Sequence, residues 1–508
     1  MTSRLSRSGI VAAIVVLVLV MGLTAWSRTT WDPAITREPV AEMPPMFGRT
    51  HPQHRGVTPD PTGQLGSGPR AVAYHSGGPV LRSRTLGAPD ARLFRTGFSS
   101  WEPTMGVTGS GNVYFNATSD GGGGLIVRST DGGKTWKAVF DGHSFTADPY
   151  MFVDDRTDRI VANDYVPPCH LVSFSDDEGK SWTTSPPAGC SYNNDHQTLF
   201  AGPAPKDGDQ PQQYPDIVYL CSISGGISAS STTSACSKSM DGGVTFVPTG
   251  EPAYYDDPTQ SGDYDVPGLC NGLNAHGFVG DDGTVYLPRG WCGQPWLAIS
   301  HDEGLTWSRV QVSDLGMPCC GALDGENDSA LFSHESAVVA DRNGNVYYAW
   351  VAADRLPYLV ASRDGGKTWG KPVAIGPPGL KEALLPGMAI GPEGGIVVRY
   401  LGSENSPWNG TEATGGWDKE EWNAYLTVAT DPLASDPVLY TTTVNDPNDP
   451  LWVGRCGPDP IRCGWGDFQD VVVDRHGHVW SVDVDLCAGT KGCEKSETII
   501  GHLVGVKL

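Results

Sequence analysis

A pattern of eight residues, S-x-D-x-G-x-[ST]-[WF], occurs five times in this 508-residue chain and constrains its fold more than any other feature. The copies are STDGGKTW at 129–136, SDDEGKSW at 175–182, SMDGGVTF at 239–246, SHDEGLTW at 300–307 and SRDGGKTW at 362–369. Their aspartates, Asp131, Asp177, Asp241, Asp302 and Asp364, lie 46, 64, 61 and 62 residues apart. Within one copy the fifth-position glycine takes positive φ without steric cost while Ser and Asp reach nearby backbone amides, which is the chemistry of a tight hairpin. Each copy follows a short apolar run such as Leu125-Ile126-Val127, so the motif joins two antiparallel strands and leaves its terminal aromatic free to pack inward. The spacing leaves room for about four short strands per unit, the period of a propeller blade.

A second element recurs between the turns: a polar residue, an alternating apolar strand, a turn and another apolar strand. It occurs seven times, beginning near Glu102, Asp148, His196, Ala275, His334, Leu385 and Phe468. In the clearest copies Gly-Asn, Asp-Gly or His-Gly joins the two strands, as in an inner hairpin. Five of these units run into the turn motif, the sixth meets a degenerate match at 429–436, and the seventh meets none. The expected fold is therefore all-β: a seven-bladed propeller of four-stranded antiparallel blades, with six blades as the alternative count, over residues 80–508. The alternating stretch 80–94 is expected to complete the last blade and close the ring. Polar, Gly/Pro-rich insertions at 202–214 and 403–422 are expected to be loops on a face.

The N-terminus reads differently. Residues 1–8 carry Arg4 and Arg7, 9–26 are uncharged and rich in Ile, Val and Leu, and 27–79 form a Pro/Gly-rich stretch without apolar periodicity. This predicts a cytoplasmic n-region, an export signal or membrane anchor, and a disordered tether that holds the propeller outside. A net charge of −23 opposes nucleic-acid or anionic-membrane partners, leaving the N-terminal segment as the one membrane contact. Twelve cysteines agree with an oxidising, extracytoplasmic compartment. The economical pairings are Cys169 with Cys190, Cys221 with Cys236, Cys270 with Cys292, Cys456 with Cys463 and Cys487 with Cys493, and the adjacent Cys319 and Cys320 leave the connectivity open.

The five turn motifs look like Asp-boxes, the repeats of sialidases and other BNR-repeat propellers, and the resemblance spans about residues 80–508. It implies a structural hairpin between the outer strands of each blade, away from the ligand face. Sialidases also share a first-blade Arg-Ile-Pro, three arginines that clamp a carboxylate, a Tyr/Glu nucleophile pair and an Asp acid/base. This chain has no Arg-Ile-Pro. Its nearest first-blade arginine is Arg95, while Arg289 and Arg399 end second strands where family arginines lie, and these two are carried here as substrate-binding candidates with His276.

Propeller ligands bind where the inner strands begin. Aligning those starts gives Glu102, Asp148, His196, Ala275, Glu335, Leu385 and Phe468, with Asp195, His276, His334 and Asp467 beside them. Two chemistries fit such a column: unequal carboxyls for acid/base work at a glycosidic bond, or an oxygen and imidazole cluster for a cation. A wet, hydrogen-bonded channel is the structural counterpart of both. Glu335, Asp148, His196 and Glu102 are the catalytic candidates. Asp324, Glu326 and Asp328 have the acidic spacing of a calcium loop without the full twelve-residue pattern, so calcium is the one cofactor considered. The tryptophans Trp291, Trp296, Trp408 and Trp417 are candidates for stacking on sugar rings, with blade packing as the alternative. The leading function is binding, or binding with hydrolysis, of an extracellular glycan; the alternative is a non-catalytic propeller that binds or scaffolds an envelope protein.

Overall fold

The computed structural model describes residues 64–65, 72–75, 80–81 and 90–508, the last apart from 120–121, 143–144, 147, 192–193, 212, 224–232, 256–272, 292, 318–335, 408–418, 435–436, 455–465, 467–468 and 487–495. The described residues belong to one compact unit, 51–508. They form seven antiparallel sheets. Blade 1 runs from its inner strand Met105–Val107 to its outer strand Lys137–Asp141, blade 2 from Pro149–Val153 to Thr183–Thr184, blade 3 from Asp195–Gly202 to Val247–Pro248 and blade 4 from Phe278–Val279 to Ser308–Gln311. Blade 5 runs from Ser336–Ala340 to Val373–Ala374 and blade 6 from Glu382–Ile390 to Val438–Thr443, extended at its edge by Val72–His75 and Val80–Leu81. Each inner strand packs beside the next, and blade 7 returns to blade 1, so the seven make a closed propeller.

Closure uses both ends of the domain. Blade 7 takes Val471–Val473, Val479–Asp485 and Glu497–Val504 from the C-terminal part, and Asp90–Arg95 completes it in register with Glu497–Val504, pairing Phe94 with Ile500. The expected 80–94 stretch therefore divides, with Asp90–Arg95 closing the ring and Val80–Leu81 lying on blade 6. Second strands such as Val346–Val351 are buried along their whole length, because each blade is sandwiched between two neighbours. Between blades 7 and 1, for example, Phe94, Met105, Phe115, Trp136, Val482 and Ile500 share one apolar layer.

The five Asp-box turns join the third and fourth strands of blades 1 to 5. In the first, Asp131 Oδ1 accepts the amides of Lys134 and Thr135 at 3.1 and 2.9 Å, and Oδ2 accepts the Thr135 hydroxyl at 2.6 Å. Ser129 Oγ accepts the Gly133 amide at 2.9 Å. Gly133 has φ near 88°, and a Cβ there would collide with the Phe94 ring, so both backbone and space require glycine. Trp136 then packs edge-on against Phe115 with centroids 5.2 Å apart. The other four aspartates make the same bond to the hydroxyl four residues on. These hydrogen bonds to the charged form hold the carboxyls below their ordinary range, to about 2 at Asp177 and Asp364.

Two disulfides, Cys169–Cys190 and Cys221–Cys236, staple blades 2 and 3. They agree with the economical pairings and indicate an oxidising, extracytoplasmic compartment. The other eight cysteines lie outside the described residues. Peptide mapping of the unreduced protein is expected to recover both cross-linked pairs, and recovering either cysteine as a free thiol would contradict the structure. No helix among the described residues is long and apolar enough to cross a membrane, and the 9–26 segment lies outside them.

Candidate functional site

The aligned column of inner-strand starts is a real structural position. Glu102, His196 and Leu385 all have left-handed backbone, with φ of 53°, 50° and 53°. For residues with a Cβ this conformation costs about 1–2 kcal/mol, so the surrounding contacts must impose it. Register breaks accompany it between Asp195 and Thr198 and between Leu384 and Gly387. They are irregularities within the first residues of the inner strands of blades 3 and 6.

Side chains near this position tie blade 7 to 1, 1 to 2, 2 to 3 and 3 to 4. Asp470 Oδ2 accepts the Met105 amide at 3.1 Å, Thr104 Oγ1 accepts the Met151 amide at 2.7 Å, and Thr198 Oγ1 accepts the Gly277 amide at 3.0 Å. Asp148 does the same between blades 2 and 3, its Oδ2 accepting the His196 amide at 3.1 Å while its carbonyl accepts Gln197 Nε2 at 3.0 Å. His196 Nδ1 donates to the Asn274 carbonyl. Asn274 Oδ1 accepts the Ser234 hydroxyl at 2.6 Å, and Ser234 Oγ accepts Arg289 Nη1 at 2.7 Å, which links His196 to Arg289. Asp148 and His196 therefore sit together, each engaged with a neighbouring blade. Glu102 is buried under Gly466, where a Cβ would strike the Glu102 side chain.

The arginine candidates are held from inside. Arg399 is fully buried, with Nε donating to Asp483 Oδ1 at 2.7 Å, Nη1 to the Leu385 carbonyl at 2.9 Å and Nη2 to Gln469. Arg95 is paired with Asp485 at 2.8 Å and Glu497 at 3.0 Å. Arg289 is fully buried, with its guanidinium 5.5 Å from the Tyr254 ring centre. Trp291 is also buried, edge-on to Trp296 at 5.2 Å, and so serves blade packing. Glu335, Asp324, Glu326, Asp328, Trp408 and Trp417 lie outside the described residues. Among the described residues no group of three His, Cys, Asp or Glu side chains is placed to hold a metal ion.

What does converge is a set only partly present in the sequence reading. Tyr150 of blade 2 meets the His276 ring edge-on at 5.3 Å, and His276 Nδ1 stands 3.6 Å from Asp470 Oδ1 of blade 7. Three blades thus meet across the channel. The His276 and Asp470 side chains keep 22% and 12% exposure, so water reaches both. Tyr150 and Asp470 were legible one step away, since each stands two places after the aligned column, beside Thr104 and Thr198. The opposite end of the channel opens into a cavity of about 540 Å³ bordered by Asp155, Asp281, Asp341, Glu393 and Asp474.

The family model for the BNR/Asp-box repeat matches residues 127–138. The chain folds as a seven-bladed β-propeller that carries this repeat. No curated protein matches it. Solved structures similar to this Asp-box propeller include a protein of unknown function from Dyadobacter fermentans, 14% identical over 80% of this chain and 94% of that one, with a TM-score of 0.39. They include also an Aleuria aurantia lectin mutant in complex with Fucalpha1-6GlcNAc, 10% identical over 68% and 96% of the two chains, with a TM-score of 0.40. The NanB sialidase of Streptococcus pneumoniae is 11% identical over 82% and 70%, with a TM-score of 0.39. At this distance the ligands of those proteins say nothing of this propeller's own.

Proposed function

We propose that this propeller binds an extracellular glycan at the channel end where the inner strands begin, and that the segment 9–26 tethers it to the membrane. The carrying observation is the convergence of Tyr150, His276 and Asp470 from three blades on one water-accessible spot. A sugar presents hydroxyls to a carboxylate and an imidazole, which the water-reached edges of Asp470 and His276 offer, while the buried Tyr150 ring backs the imidazole from the core. Binding is favoured over hydrolysis by the state of the carboxyls. A glycosidase needs two acids about 5–10 Å apart on either side of the bond. Here Asp148 is committed to the His196 amide and Glu102 is covered, which leaves Asp470 as the water-facing acid of the described set.

The full chain is expected to bind members of a glycan panel, with His276→Ala weakening binding at least about tenfold, the scale of one lost hydrogen bond to a charged partner. Chromogenic glycosides, a sialoside among them, test for turnover in the same preparation. An absence of both binding and turnover across the panels would remove the glycan reading. One observation would then favour protein binding instead: the exposed large apolar side chains among the described residues, Val244, Val247, Tyr255, Leu305 and Leu315, all lie on the outer rim of blades 3 and 4.

A further inference from the structure

Resting on that reading, we propose that the site selects its glycan by positive charge, taking an amino sugar in preference to a carboxylate-bearing one. The argument begins with what a carboxylate would need. A sugar acid is held by guanidinium N–H groups that point into the site with no acceptor of their own. Each candidate arginine has spent its donors inside the fold. Arg399 is enclosed at zero exposure by Asp483, Gln469 and the Leu385 carbonyl. Arg95 lies between two carboxylates, so that group carries net negative charge. Arg289, also at zero exposure, is turned towards Ser234 and Tyr254.

The acids at this end are placed differently. Asp470 accepts the Met105 and Val471 amides yet keeps a water-exposed edge beside His276. Asp148 and Glu102 stand at the starts of neighbouring inner strands. Among the described residues of the connections between strands at this same end, Asp and Glu outnumber Lys and Arg. A concave site lined by one sign of charge focuses the field, attracting an ammonium and repelling a carboxylate. An amino sugar places its ammonium against Asp470 and its hydroxyls against His276. A sialic acid brings a second anion beside the Asp470 carboxylate.

The test uses glucosamine and N-acetylglucosamine oligomers of equal length, with sialyllactose as the anionic probe, on the full chain. Glucosamine oligomers should bind about three- to tenfold more tightly than the acetylated ones at low salt, the advantage should shrink in 0.5 M NaCl, and sialyllactose should bind worst. Asp470→Asn should erase the advantage, whereas Asp281→Asn, at the far end of the channel, should leave it intact. The wild-type comparison and its salt dependence stand even where Asp470→Asn, which also loses charge against the Met105 amide, folds poorly. Equal binding of the two oligomers would overturn the charge preference and leave glycan binding standing. Tighter binding of sialyllactose would overturn it outright. No binding of any of the three would remove the reading on which the preference rests.

Discussion

Replacing Arg399 with methionine will lower the unfolding free energy by about 3–5 kcal/mol, the cost of leaving one member of a buried ion pair alone. Arg399 and Asp483 both have zero side-chain exposure, and the pair joins the second strand of blade 6 to that of blade 7. Without the guanidinium, Asp483 keeps the Ser481 hydroxyl at 3.1 Å as a donor, but its charge is no longer compensated. Gln469 and the Leu385 carbonyl, at the starts of two inner strands, lose a donor at the same time. The measurement is urea unfolding of both proteins. Adding Asp483→Leu should recover most of the loss, because removing both charges together leaves none unpaired. A methionine variant of wild-type stability that no longer bound glycan would make Arg399 a ligand-contacting residue and refute the structural role.

Sequence position offers Arg399 both as a substrate-binding residue and as an interface arginine paired with an acid, and the reason position cannot choose between them is general. The repeat S-x-D-x-G-x-[ST]-[WF] is local, so its hairpins and the blade number follow from hydrophobic alternation and turn chemistry within a few dozen residues, whereas the closing strand Asp90–Arg95 finds its partner, Glu497–Val504, in the C-terminal part of the chain. The column of inner-strand starts was legible for the same reason, and the shared left-handed φ of Glu102, His196 and Leu385 shows that the alignment found equivalent positions. Which acids and bases meet was not legible. Asp483 lies 84 residues from Arg399, and Asp470 lies 365 residues from the Met105 amide it accepts. Such pairings are fixed by ring closure and leave no period in the chain. Asp148 looked like a catalytic acid because it opens a strand, and that same position makes its carboxylate the natural acceptor for the next blade's amide. The loop 202–214 was expected on polarity to lie on a face, yet its last residue, Tyr214, is buried with its hydroxyl on Asp154.

Tyr214 belongs to a clasp between blades 2 and 3 that will make the protein less stable as pH rises from about 4 towards neutrality. Asp154 accepts the Tyr214 hydroxyl and the Arg156 amide, Asp216 is paired with the Arg156 guanidinium, and Asp216 also feels the Asp154 charge. Around them, Arg159 stacks on Tyr214 and pairs with Asp176, and Arg475 pairs with Asp158. Burial first, and then the Asp154 charge, raise Asp216 above the ordinary carboxyl range, against the opposing pull of Arg156. At 1% exposure and beside a second carboxyl, Asp216 keeps its proton where an ordinary carboxyl would have lost it. The folded state therefore holds a proton that the unfolded chain releases near pH 4. Stability from this group is complete below that pH and is lost as pH climbs through the raised folded value, at up to about 1.4 kcal/mol per pH unit. The Asp-box carboxyls have the opposite sign: their lowered values give stability above pH 4 that disappears on acidification towards about 2. The two windows meet near pH 4, but buried His170 and half-buried His502, lowered by desolvation, add stability as pH rises over part of the upper window, and Asp155, raised to about 6 by desolvation, loses it, so the clasp is read as the difference between the wild-type and Asp216→Asn thermal unfolding profiles from pH 4 to 8. Asp216→Asn, which keeps a neutral donor to Asp154 and loses only a half-exposed partner for Arg156, should flatten the decline. A profile unchanged by the substitution would show that the proton is not held there.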